Sequence, residues 1–106
     1  MTKNPLKGVS DADFETIASR FRALGEVSRL HLVRELQSGE KNVTDLVEIT
    51  GLSQPNVSRH LAVLVAAGLL GRRKDGLNVL YRIIDESLAD ICAIVCKSVS
   101  NQSRKR

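Results

Sequence analysis

At 106 residues the chain suits one domain of common size, and with 42% hydrophobic residues but only two Phe, one Tyr and no Trp its core must be aliphatic. A formal charge of +4 favours a polyanionic partner. Two cysteines are too few for a secreted disulfide framework, and no apolar run approaches the roughly 20 residues that cross a bilayer.

The opening MTKNPLKG lacks the apolar centre of a signal peptide, so the expected compartment is the cytoplasm, with no membrane partner. Residues 1–9, with Pro5 and Gly8, read as a flexible lead-in to a domain over residues 10–100. Ser10 is placed to cap a first helix, with Asp11 and Asp13 in its first turn, where negative charge suits the helix dipole. Phe14, Ile17, Ala18, Phe21 and Leu24 recur every three or four residues as one apolar stripe, and Gly25 interrupts it. A second helix begins near Ser28, carries Leu30, Leu32, Val33 and Leu36, and ends before Gly39.

From Val43 to Gly68 two short apolar-periodic segments flank the break Gly51-Leu52-Ser53. Val43, Leu46, Val47 and Ile49 supply the first apolar face; Val57, Leu61 and Leu64 supply the second. Ser53 is a good cap, and Pro55 sits in the first turn, where the helix needs no amide from it. Two helices joined by about three residues containing Gly make a helix-turn-helix. Removing its core face leaves Gln54, Asn56, Ser58, Arg59 and His60 on the second helix, a set able to meet base edges and phosphates in a major groove. A helical hairpin with an ordinary solvated face has the same pattern over this stretch, so the residues after Gly68 decide between the two.

Leu69 to Ile83 reads as a β-hairpin around Asp75-Gly76, with Val79, Tyr81 and Ile83 alternating as in a half-buried strand. Its first arm carries Arg72, Arg73 and Lys74. Between Gln54 and Arg82 five Lys and Arg residues face a single acid, Asp75, so the whole formal excess falls on this segment. A basic two-stranded wing directly after a recognition helix is a winged helix-turn-helix, here mainly α with about five helices. Double-stranded DNA is the expected partner. A last helix runs from about Asp85 to Ser100 with Leu88, Ile91, Cys92, Val95 and Val99 on one stripe, and residues 101–106 form a basic, frayed tail.

An enzyme is not indicated: the chain has no glycine-rich phosphate loop, nucleophile elbow or HExxH motif. Ser58 and His60 stand two apart and do not share a helix face as nucleophile and base must. No cofactor is required. A winged helix serving protein contacts alone is disfavoured by the basic wing and Arg59.

The element order, the segment LSQPNVSRHLAVLVAAGLL and the passage Ala23-Leu24-Gly25 through Ser28-Arg29-Leu30 resemble the ArsR/SmtB family of bacterial winged-helix repressors over about residues 14–97. That resemblance implies a homodimer built from the first and last helices, bound to an inverted-repeat operator and released by an inducer. It also implies sensing sites that this chain does not match. Asn42 and Thr44 stand where an arsenic-type site places cysteines. Asp85 fits a zinc-type site on the last helix, but Ser87, Ser98 and Asn101 occupy its other positions.

Cys92 and Cys96 remain, four apart and so on one helix face. Paired thiols favour a thiophilic metal or metalloid inducer, or a sulfur-redox signal. Two sulfurs do not close a zinc site, whereas a symmetric dimer offers four. Cysteine is equally at home as a small core hydrophobe. The alternative is a regulator without a cysteine sensor, controlled by another small molecule or a protein. His31 lies on the second helix with no partner cluster in the sequence.

Overall fold

A computed structural model describes residues 3–104. The elements are α1 (Asp11–Leu24), α2 (Val27–Leu36), α3 (Val43–Thr50), α4 (Gln54–Ala66), β1 (Leu70–Asp75), β2 (Asn78–Ile83) and α5 (Leu88–Arg104). Five helices with a two-stranded antiparallel hairpin are the winged helix-turn-helix that the sequence predicts.

Local chemistry sets the helix starts. The Ser10 hydroxyl accepts from the Asp13 amide at 3.1 Å, Asn42 Oδ1 from the Asp45 amide at 2.8 Å, and the Ser53 hydroxyl from the Asn56 amide at 3.3 Å. Each such cap contributes about 1 kcal/mol by pairing an amide that the helix leaves free. The second helix starts one residue ahead of Ser28, because the Glu26 carboxylate is the cap and accepts from the Ser28 amide.

The termini carry local structure of their own. Pro5 to Gly8 form a turn, in which the Lys7 amide donates to the Asn4 carbonyl at 3.2 Å. At the other end α5 begins at Leu88 and continues to Arg104, so the helix takes in residues 101–104 of the expected tail. Its late start follows from Asp85, whose carboxylate accepts from the Ser87 amide at 3.0 Å and hydroxyl at 2.6 Å and pairs with Arg20 at 3.2 Å. These partners hold that carboxyl below the ordinary aspartate range. Met1, Thr2, Lys105 and Arg106, ends of the expected lead-in and tail, lie outside the described residues.

The core is aliphatic. Leu32, Leu46, Val57, Leu61, Leu64, Leu69, Leu70 and Leu88 are fully buried, and Tyr81 closes one side. It sits between α2, α3, α4 and the base of the wing. Ile49, expected in the α3 face, is exposed. The outer helices contribute little to the core: Ala23 is the buried residue of α1, and Leu88 that of α5. Phe21 stays 60% exposed, Ile94 69% and Val95 57%, with Phe14 and Val99 also exposed.

The protomer is accordingly open. Its accessible surface of 7771 Å² exceeds the roughly 5800 Å² expected of a compact 11.6 kDa protein. Its radius of gyration, 15.8 Å, exceeds the roughly 13 Å of a compact chain this long. No helix among the described residues is long and apolar enough to cross a membrane.

Candidate nucleic-acid interface

The junction of α3 and α4 is fixed by backbone chemistry. Gly51 ends α3 at φ +74°, a left-handed conformation that glycine adopts without cost, and its amide donates to the Val47 carbonyl at 2.9 Å. Ser53 then caps α4, with Pro55 in its first turn. Val57, Leu61 and Leu64 anchor α4 in the core, which turns its opposite side to solvent.

Ser58 and Arg59 are exposed there, Gln54 is exposed in the first turn, and Asn56 is half-buried on the flank. Arg59 lies most nearly opposite the anchor residues. Its Nη2 donates to Asn56 Oδ1 at 2.6 Å, one turn back, which holds the guanidinium along the helix surface with other donors free.

His60 is placed differently from its neighbours. Three residues after Val57 and four before Leu64, it falls on the flank of the anchored face. Its side chain is only 13% exposed. Nε2 lies 3.3 Å from the Glu26 carboxylate and Nδ1 3.2 Å from Arg29 Nη1. Arg29 continues the network, donating from Nε to the Ala23 carbonyl at 2.6 Å and from Nη2 to the Arg22 carbonyl at 3.3 Å. The Ser28 amide, first, and then the Arg29 guanidinium hold the Glu26 carboxyl below its ordinary range. The expectation that grouped His60 with the groove-facing set counted only the polar residues of α4; the spacing from Val57 and Leu64 carried the signal of its true neighbourhood. Glu26 and Arg29 were missed as site residues because their partner is distant in sequence.

The wing is pinned at its base. Lys41 bridges to Tyr81 through two backbone hydrogen bonds, of 3.1 and 2.9 Å, which ties the α2–α3 loop to β2. At Gly71 an added Cβ would meet the Ile84 side chain at 2.9 Å, so a larger residue there would have to displace it. At the tip Asp75 pairs with Asn78, leaving Gly76-Leu77 as the loop. Only Gly76 has positive φ, +62°, the pattern of a type II′ turn rather than one with both positions left-handed.

Strand geometry divides the three wing cations. Arg72 pairs across from Tyr81 and Lys74 from Val79, whereas Arg73 pairs across from Leu80 on the other face. Arg73 is engaged: its Nη2 and Nε donate to the two Glu40 oxygens at 2.6 and 3.1 Å. That bidentate contact lowers the Glu40 carboxyl pKa and raises that of the Arg73 guanidinium. Arg72 and Lys74 are exposed and have no salt bridge among the described residues.

Away from this surface, Cys92 is half-buried and Cys96 exposed, both as free thiols. They line a groove between α2 and α5, about 600 Å³ in volume, together with Val27, Leu30, His31 and Ala89. Burial pushes the Cys92 thiol pKa up. Among the described residues no three His, Cys, Asp or Glu side chains gather closely enough to hold a metal ion.

Comparison with known proteins bears on the whole arrangement. The probable mercury resistance operon repressor of Streptomyces lividans is 38% identical over 88 residues, covering 82% of this chain and 70% of that one. The transcriptional repressor SmtB of Mycobacterium tuberculosis is 37% identical over 87 residues, 82% of this chain and 62% of its own length. In three dimensions the chain superposes on a homodimeric winged helix-turn-helix DNA-binding domain from Mycobacterium bovis, a possible ArsR-family regulator, with a TM-score of 0.81. The identity there is 28%, over 94% of this chain and 95% of that one. The two named relatives are repressors, not enzymes. The profile described as bacterial regulatory protein, arsR family, matches residues 26–71, from the start of α2 into β1. The chain therefore belongs to the ArsR family of bacterial regulatory proteins.

Proposed function

We propose that the protein is a homodimeric transcriptional repressor that reads an inverted-repeat operator and is released by an inducer at its cysteine pair. The observation that carries the DNA reading is the outer face of α4, exposed and polar, with Arg59 at its centre and the free cations Arg72 and Lys74 on the adjoining wing. Gln54, Asn56, Ser58 and Arg59 meet base edges or phosphates in the major groove. Arg72 and Lys74 meet the backbone or the minor groove beside it, and Arg73 contributes there only if it exchanges Glu40 for phosphate.

Dimerisation is supported by the uncovered apolar faces of α1 and α5 and by the excess surface of the protomer. That excess, roughly 1900 Å² per protomer, amounts to about 3800 Å² for two, in the range that obligate homodimer interfaces bury. The similar Mycobacterium bovis domain is a homodimer. The cytoplasm, where the regulator meets DNA, is its compartment.

The inducer is a thiophilic metal or metalloid or a sulfur-redox signal acting at Cys92 and Cys96. Their shared groove supports this, as does similarity to a repressor named for mercury resistance. The burial that raises the Cys92 thiol pKa favours a second reading, in which both cysteines pack and another ligand or a protein controls the switch.

A mobility-shift titration with the promoter fragment upstream of the protein's own gene tests the first reading, with mercuric, arsenite and cuprous ions or peroxide added to the complex. Release by one of them that disappears in a Cys92→Ser, Cys96→Ser double variant supports the cysteine sensor. Release that persists in the double variant assigns sensing elsewhere.

A further inference from the structure

The network around His60 joins three helices that otherwise serve different purposes. Arg29 donates to the carbonyls of Arg22 and Ala23, which close the last turn of α1, one and two residues beyond exposed Phe21. The same guanidinium reaches His60 on α4, whose other ring nitrogen faces Glu26 at the start of α2. An arginine has no acceptor, so Nδ1 must accept its proton, and Nε2 then carries the ring proton and donates to the Glu26 carboxylate. With both ring nitrogens engaged and the side chain 13% exposed, His60 has no free edge to offer a nucleic acid. Arg59, one residue earlier, points to solvent.

We propose that Arg29, Glu26 and His60 form a latch that fixes the attitude of the recognition helix α4 against the end of α1. Arg29 and His60 are then positioning residues for operator reading and do not touch DNA. The proposal rests on the assignment of α4 as the reading helix. Its consequence is that the two α4 helices of a dimer are set relative to each other through the α1 ends, since α1 carries the uncovered face. A few degrees of rotation of α4 would misplace Arg59 and Gln54 from base edges while leaving the charge of the surface intact.

The test combines variants with a measurement on the wild type. Arg29→Lys keeps the charge and removes the fork that bridges α1 to His60; His60→Leu keeps the bulk and removes both ring hydrogen bonds. Each is compared with wild type by thermal melting, by sedimentation, and by affinity for the promoter fragment and for random DNA across a salt series. The latch predicts about a tenfold loss of promoter affinity for each, the scale of one charge-assisted hydrogen bond. Random-DNA affinity and the slope of log K against log salt should stay at wild-type values, and the double variant should fall little below either single one. His60→Asn, which keeps an acceptor for Arg29, should recover most of the loss.

In the wild type, nitrogen-resolved NMR of the imidazole should find the proton on Nε2 and leave it there when the promoter fragment binds. Promoter affinity equal to wild type in both variants, a salt slope reduced by about 0.9 in His60→Leu, or an imidazole that contacts DNA in the complex would each overturn the latch. Failure of the wild type to prefer the promoter over random DNA would instead overturn the operator reading. The imidazole of the free protein separates the two failures, because the latch requires its Nε2 proton either way.

Discussion

The helix-turn-helix and the outer helices are written in the same apolar periodicity but end in opposite surroundings. In α4, Val57, Leu61 and Leu64 are fully buried, and the polar face is the one left in solvent. In α1 and α5 much of each stripe is itself exposed, Phe14 and Phe21 on one and Val95 and Val99 on the other. Periodicity marks which residues share a face; what covers that face depends on partners that a single chain does not contain. The difference separates a head that buries its own apolar face from a platform whose apolar face stays open in the protomer.

The largest expected contrast comes from truncating one residue in each region. Leu61→Ala in the head leaves a cavity and should cost about 2–5 kcal/mol of folding stability. Phe21→Ala should change the stability of an isolated protomer by less than about 0.5 kcal/mol, because its ring is already in water. It should instead weaken dimerisation by about 2 kcal/mol, as removal of an aromatic anchor does. Chemical denaturation at two protein concentrations, with sedimentation, separates these; a Phe21→Ala protein that dimerises like wild type would remove α1 from the interface.

Arg59→Ala comes next. Removing a bidentate hydrogen bond to a base should cost about 1–3 kcal/mol on the promoter fragment and relax specificity at one base pair. If affinity falls equally on promoter and random DNA, Arg59 binds phosphate and specificity lies with Gln54, Asn56 and Ser58.

Within the head, the wing sharpens the comparison further. Replacing Arg72 and Lys74 by Gln should lower the salt slope by about 0.9 for each phosphate that the side chains neutralise. Arg73→Gln should lower it by less, since Glu40 already neutralises that guanidinium. Equal changes at all three positions would show that Arg73 leaves Glu40 on binding.

The smallest effect concerns the platform. Burial raises the Cys92 thiol pKa, so its reactive thiolate becomes the main form only above the ordinary value near 8.5. Alkylation of Cys92, followed against pH by mass spectrometry, should have its midpoint above that value in the folded protein. The linkage has one sign: folding stability is unaffected below the unfolded thiol pKa and falls as pH rises through the raised one. A midpoint at or below 8.5 would show a thiol that the fold does not shield.

Much of the head was legible in the sequence because its signals are local. Ser53 as a cap, Gly51 at the turn and the hairpin around Gly76 each act through neighbours a few residues away. The wing's division of labour was harder to see, since three adjacent cations look alike until Glu40, 33 residues upstream of Arg73, takes the middle one. His60 shows the same limit: its polarity pointed outward, while Glu26 and Arg29 hold it inward from another helix. The start of α5 moved for a similar reason, because Asp85 binds Ser87 and Arg20 ahead of the helix instead of entering it.

The most direct test of the central claim is a binding titration of the wild-type dimer on its promoter fragment and on random DNA of equal length, at one salt concentration near physiological. A repressor that reads sequence through α4 should prefer the promoter by at least about a thousandfold. Equal affinity for the two would contradict it and leave a basic winged helix that binds DNA by charge alone.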